Sequence, residues 1–67
     1  MIEVTVNGDV RQVEAGLTVT QFLERLGLQP RLVVVEHNRE ILDRVRYDAT
    51  PVQAGDNLEL VHFVGGG

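Results

Sequence analysis

The sequence predicts an α+β domain: a mixed sheet of four to five strands with one helix packed on one face. Three observations carry that prediction. Apolar residues alternate at Ile2, Val4 and Val6, the period of a half-buried strand. Val19, Phe22, Leu23 and Leu26 recur at helical spacing and give one short segment a single apolar face. Two further apolar runs, Leu32 to Glu36 and Leu58 to Val64, have strand length and strand residues. One helix and one sheet bury their apolar faces against each other.

Each element has its own signals. Asn7-Gly8 marks a tight hairpin turn, because both residues tolerate positive φ. Val10 to Glu14 returns as the second strand, but Val10 and Val13 are three apart, which predicts a bulge or strong twist near Arg11-Gln12. Thr18 and Gln21 form a capping-box pattern at the helix start. Gly27 suits the C′ position and Pro30 prevents resumption, so the helix has at most about three turns. The valine-rich run from Leu32 to Glu36 shows no alternation and reads as a central strand buried on both faces. A turn at His37-Asn38-Arg39-Glu40 leads to a short strand, Glu40-Ile41-Leu42. Asp43 to Asp48 reads as charged and irregular, and Thr50-Pro51 and Ala54-Gly55-Asp56 punctuate a long connection. In the last strand Leu58 and Leu60 should face the core, with Glu59, Val61 and Phe63 outward. The hairpin followed by a helix calls for a right-handed crossover into a parallel neighbour.

Size and charge narrow the function. The 67 residues make one domain, read as residues 1–64 with a flexible glycine tail at 65–67. A chain this short buries only about 60% of its unfolded surface. There is no cysteine, hence no disulfide and no thiolate zinc site, and stability rests on a 43% hydrophobic composition. The net charge is −4, all six cations are arginine, and there is no lysine. Without a basic stripe, nucleic-acid binding is not expected. No apolar run is long enough for a membrane span. Met1 leads directly into a strand pattern with no signal peptide, so a cytoplasmic location is expected.

No internal active site is legible. His37 and His62 are far apart and lack a ligand cluster, so no metal site is expected. Glu40, Asp43 and Asp48 read as solvated loop surface. The end of the chain is different. Gly65, Gly66 and Gly67 follow the last strand directly. Glycine loses more backbone entropy on ordering than any other residue, so three in a row add nothing to a core. Such a tail either is an inert end or serves another protein. Six extended residues reach roughly 20 Å, and without side chains they can thread a narrow channel. The Gly67 carboxylate is a poor electrophile until a partner enzyme converts it to a mixed anhydride such as an acyl-adenylate. Val61 and Phe63 lead straight into the tail and form an apolar stripe of the kind that marks docking surfaces. Phe63 has the alternative of folding back onto the core edge.

Five stretches spanning the chain carry a resemblance. "IEVTVNGDVRQV", "GLTVTQFLERLGL", "LVVVEHNREIL", "VQAGDNLEL" and "VHFVGGG" together resemble the ThiS family, the sulfur carriers of thiazole (thiamine) biosynthesis. The most specific part is Gly-Asp followed by an alternating strand and a triglycine. The resemblance implies the ubiquitin-like β-grasp, with first and last strands parallel and adjacent at the centre of the sheet. One departure stands out: the family commonly has Asn-Gly in the middle turn, where this chain has Asn38-Arg39. Arginine tolerates positive φ poorly, so a different turn type is expected, with Asn38 in the left-handed position.

The resemblance implies a carrier and not an enzyme. In the family an E1-like adenylyltransferase uses ATP to adenylate the terminal glycine. Sulfur drawn from cysteine, through a sulfurtransferase or cysteine desulfurase, replaces AMP to give a thiocarboxylate, which supplies thiazole synthase. Carried over, Gly67 is the reacting residue, Gly65 and Gly66 supply reach, and Val61 and Phe63 dock the partner. This chain itself would bind no cofactor; nucleotide and metal would belong to the partner. Two related readings remain open: the small subunit of molybdopterin synthase, and a ubiquitin-like protein modifier, which without lysine could not build lysine-linked chains on itself. A β-grasp binding module with an inert tail is the reading from a different class.

Overall fold

Asn7 and Gly8, at φ 49° and 86°, close the first hairpin with the positive φ pair of a type I′ turn. They join β1 (Ile2–Val6) to β2 (Asp9–Val13) in the computed structural model, which describes residues 1–63. The chain continues through α1 (Val19–Arg25), β3 (Val33–His37), β4 (Glu40–Leu42) and β5 (Asn57–His62). Short 3-10 turns at Pro30–Leu32 and Arg44–Arg46 fill two of the connections. The five strands order as β2-β1-β5-β3-β4. β1 and β5 run parallel, and every other neighbouring pair is antiparallel. One helix on a mixed sheet with first and last strands paired is the β-grasp.

The helix is held at both ends by the residues that mark it in the sequence. The Gln21 N–H donates to the Thr18 hydroxyl, and the Thr18 N–H donates to the Gln21 side chain, which completes the capping box. At the other end Gly27 takes φ 79°, its N–H donates to Glu24 O at 2.9 Å, and Leu28 N–H donates to Leu23 O at 3.0 Å. That pair of bonds is a Schellman cap. The helix is two turns long, and Val19, Phe22 and Leu23 are buried beneath it.

Several expectations are corrected. The β1–β2 ladder pairs without interruption from Ile2↔Val13 to Val6↔Asp9, so there is no bulge at Arg11-Gln12. Val13 faces the core side with Ile2, while Val10 pairs with Thr5 on the outer face, 64% exposed. β3 lies inside the sheet but alternates: Val33 and Val35 are buried and Val34 is only half-buried, because one helix covers one face. The crossover helix leads to β3, which runs parallel to β2 but is separated from it by β1 and β5. The middle turn places both Asn38 (φ 51°) and Arg39 (φ 72°) at positive φ. It is therefore another type I′ turn, arginine included, because this hand matches the twist of β3 and β4. β5 ends at His62, one residue before Phe63.

The long connection is less irregular than its composition suggests. Tyr47 is buried; its hydroxyl donates to Val33 O at 2.7 Å and accepts from Val35 N–H at 3.1 Å. Leu17 and Val52 bury against each other's segments, joined by Val52 N–H to Leu17 O (2.9 Å) and Val19 N–H to Thr50 O (2.8 Å). These residues extend a core built on Val4, Phe22, Leu23, Val33, Val35 and Leu58. Glu40, Asp43 and Asp48 are exposed, as solvated loop surface should be.

Candidate functional site: the outlet of the last strand

β5 reaches the end of the described chain through anchors on both sides. On one side it pairs with β1 only at Thr5↔Asn57 and Val6↔Leu58, because β1 then turns at Asn7. The Asn7 side chain takes over: Leu60 N–H donates to Asn7 Oδ1 at 2.7 Å, and Asn7 Nδ2 donates to Leu60 O at 3.3 Å. On the other side β3 pairs along the whole strand, from His37↔Leu58 to Val33↔His62. The last anchor is Phe63 N–H to Leu32 O at 2.9 Å. Two secured edges thus aim the chain outward at Phe63.

The strand's entry is secured by a buried carboxylate. Asp56 accepts from Gln53 N–H (2.8 Å) and the His37 ring (2.9 Å) on Oδ2, and from the Asn38 amide (3.2 Å) on Oδ1. Asn38 in turn accepts from Asn57 N–H at 2.8 Å. Burial alone would raise the Asp56 carboxyl; the Gln53 N–H, the His37 ring and the Asn38 amide together outweigh it and hold it below its ordinary value. In the sequence Asp56 is loop punctuation and Asn7 a turn residue. Their second roles depend on partners far along the chain, which no local pattern reveals.

Val61 and Phe63 lie two residues apart on the outward side, 55% and 56% exposed. Phe63 does not fold back onto the core. Val34, half-buried, stands directly across from Val61 and widens the apolar surface. His62 is exposed and belongs to no group of metal-ligating side chains among the described residues. No helix among them is long and apolar enough to cross a membrane. Gly65, Gly66 and Gly67, with Val64, lie outside the described residues.

The sequence pattern of the ThiS family matches residues 4–67. The chain belongs to the ThiS family. It is 38% identical over 59 residues to the sulfur carrier protein ThiS of Bacillus subtilis, a match covering 88% of this chain and 89% of that protein. It is 39% identical over 66 residues to a thiazole synthase of Magnetococcus marinus. That match covers 98% of this chain but spans only 20% of the relative's length. Among solved structures, the crystal structure of a thiamine biosynthesis protein (ThiS) from Geobacter metallireducens superposes with a TM-score of 0.82 at 42% identity, covering 98% of this chain and 100% of that one.

Proposed function

We propose that this ThiS-family chain is a sulfur carrier whose Gly67 carboxylate is the reacting group. The observation that carries the reading is the run Gly65-Gly66-Gly67 placed just beyond a β5 whose end is anchored and whose outward residues are apolar. An E1-like adenylyltransferase supplies ATP. A Gly67 carboxylate oxygen attacks the α-phosphorus, pyrophosphate leaves, and an acyl-adenylate forms. The terminal sulfur of an enzyme persulfide, carried by a sulfurtransferase or cysteine desulfurase, then attacks the acyl carbon. The new C–S bond forms, the C–O bond to AMP breaks, and AMP departs, leaving an acyl disulfide. A second thiol of the partner attacks the persulfide-derived S–S bond, forming a disulfide on the partner and releasing the thiocarboxylate. The resulting thiocarboxylate passes sulfur to thiazole synthase. Nucleotide and metal belong to the partners, and the reading places the chain in the cytoplasm, where ATP is present.

In this scheme the domain does no chemistry of its own. It holds the tail at a defined outlet while Val61 and Phe63 dock, and Gly65 and Gly66 leave a narrow channel unobstructed. Incubation with the adenylating partner, ATP and a sulfur donor should replace one carboxylate oxygen by sulfur, with fragmentation locating the change at Gly67. Deleting Gly67 shortens the reach by roughly 3.3–3.6 Å and should abolish the product without lowering thermal stability. A truncated chain that still accepts sulfur, or an intact one that gains none from an active partner, leaves the inert-tail binding module as the reading.

A further inference from the structure

The outward face of the sheet carries two carboxylates set directly against each other. β3 and β5 pair antiparallel with Val34 opposite Val61 and Glu36 opposite Glu59. Successive side chains alternate faces. Since Val33, Val35 and Leu58 are buried in the core, these four residues share the face away from the helix. Ile41 on β4 stands beside Glu36 in the same row, 68% exposed.

Side chains directly opposite on such a ladder have Cβ atoms about 4.5–5.5 Å apart, and like charges there oppose sheet formation. No ion pair among the described residues relieves that repulsion. The ion pairs among the described residues are Arg25–Glu14 and His37–Asp56, and neither involves Glu36 or Glu59. No outward strand position carries an arginine: Arg11 is opposite Val4 on the helix side, and the other five lie in the helix and the connections. The third outward charge, Glu3, is also acidic. The face is therefore an apolar patch of Val34, Val61 and Ile41 next to two uncompensated negative charges, continuous with the outlet at Phe63.

We propose that Glu36 and Glu59 together receive an arginine of the adenylating partner, with apolar partner surface covering Val34, Val61 and Ile41. The inference rests on the carrier reading above and adds the chemistry of the docking partner. Arginine fits because its planar fork of donors can serve two carboxylates at once. The adenylating enzyme fits because its task is electrostatically awkward. It must bring a chain of net charge −4, carboxylate first, up to the phosphates of ATP. Attraction between partner cations and these glutamates, remote from the reacting atoms, offsets that repulsion and steers the encounter.

The test is the charge-neutral double variant Glu36→Gln/Glu59→Gln, compared with the wild type. The free domain should melt at a higher temperature, because the repulsion is gone. Affinity for the adenylating enzyme, by calorimetry in low salt, should fall by about tenfold, and the difference should shrink as salt is added. At saturating enzyme the variant should still form the thiocarboxylate. Each single variant should show a smaller shift in the same two directions. A double variant that binds as tightly as the wild type, while the wild type accepts sulfur, overturns the docking inference and leaves the carrier reading intact. A lowered melting temperature also overturns it, since the pair is then not in conflict. A wild type that neither binds the active enzyme nor gains sulfur ends both.

Discussion

Asn7 holds Leu60 by both of its backbone polar groups, as a neighbouring strand residue would. The amide continues the β1 edge past the point where β1 itself has turned away. Asn7→Gly keeps the positive φ the turn requires and removes only this grip. Two partly solvated hydrogen bonds at about 0.5–1.5 kcal/mol each put the loss near 1–2 kcal/mol. The sharper readout is hydrogen exchange: the Leu60 amide should lose protection while Leu58, on the paired stretch, keeps it. Unchanged exchange at Leu60 would show that the side chain does not secure the edge.

Tyr47 is the buried polar counterpart. Tyr47→Phe preserves the ring and deletes the hydroxyl, leaving Val35 N–H and Val33 O without that partner. A buried group left unsatisfied costs about 1–3 kcal/mol, so the urea midpoint should drop clearly with an unchanged slope. A shift too small to measure would mean that the strand finds other partners.

What the sequence made legible follows from how local each signal is. The Thr18–Gln21 capping box, the Gly27 cap and the Asn7-Gly8 turn are set by residues within a few positions of one another, and all are present. The outward placement of Val61 and Phe63 came from strand alternation and is also present. Val10 misled because an exposed valine breaks alternation just as a bulge would. Tyr47 was hidden inside a charged run, and its partners are 12 and 14 residues away. The outlet itself was only half legible: its apolar stripe is local, but Asn7 grips Leu60 across 53 residues, and Glu36 meets Glu59 only once the strand order is known.

Arg39 holds φ 72°, a region L side chains avoid. The strain of a left-handed non-glycine residue is roughly 1–2 kcal/mol, and glycine's greater unfolded-state freedom takes back about 0.4–1 kcal/mol. Arg39→Gly should therefore stabilise the domain by about 0.5–1 kcal/mol, raising the denaturant midpoint. It also restores the Asn-Gly pair common in the family. Destabilisation would show that the Arg39 side chain makes a contribution larger than the strain.

Asp56 sets an acid limit. Its carboxyl is held below its ordinary value of 3.8 in the fold, so the folded state favours the ionised form. That stability is fully present above the unfolded value and drains as pH falls below about 4, through the lower folded value. Asp56→Asn has no charge to titrate there. It should be less stable at neutral pH, because both carboxylate oxygens face donors: in one orientation the amide nitrogen meets Gln53 N–H and the His37 ring, in the other the Asn38 amide. The gap between variant and wild type should then narrow at pH 3. Parallel stability curves for the two proteins across this range would remove Asp56 from the acid response.

Val61 and Phe63 test whether the outlet is also a dock. Both are more than half exposed, at 55% and 56%, so Phe63→Asp, beyond the end of β5, should change stability by no more than about 0.5 kcal/mol, and Val61→Asp, on a strand where aspartate is disfavoured, by about 1 kcal/mol. Binding is a different matter. An aspartate there places a charge in the centre of an apolar surface that must be desolvated. Affinity for the adenylating partner should fall, and thiocarboxylate formation at limiting partner should fall with it. Val45 supplies the control: it is 89% exposed but belongs to the 3-10 turn at Arg44–Arg46, away from this face. Val45→Asp should leave both readouts at the wild-type level. If all three variants bind alike, docking uses some other surface. If Val45→Asp is as damaging as the others, the loss reflects general exposed hydrophobicity and not a patch at the mouth of β5.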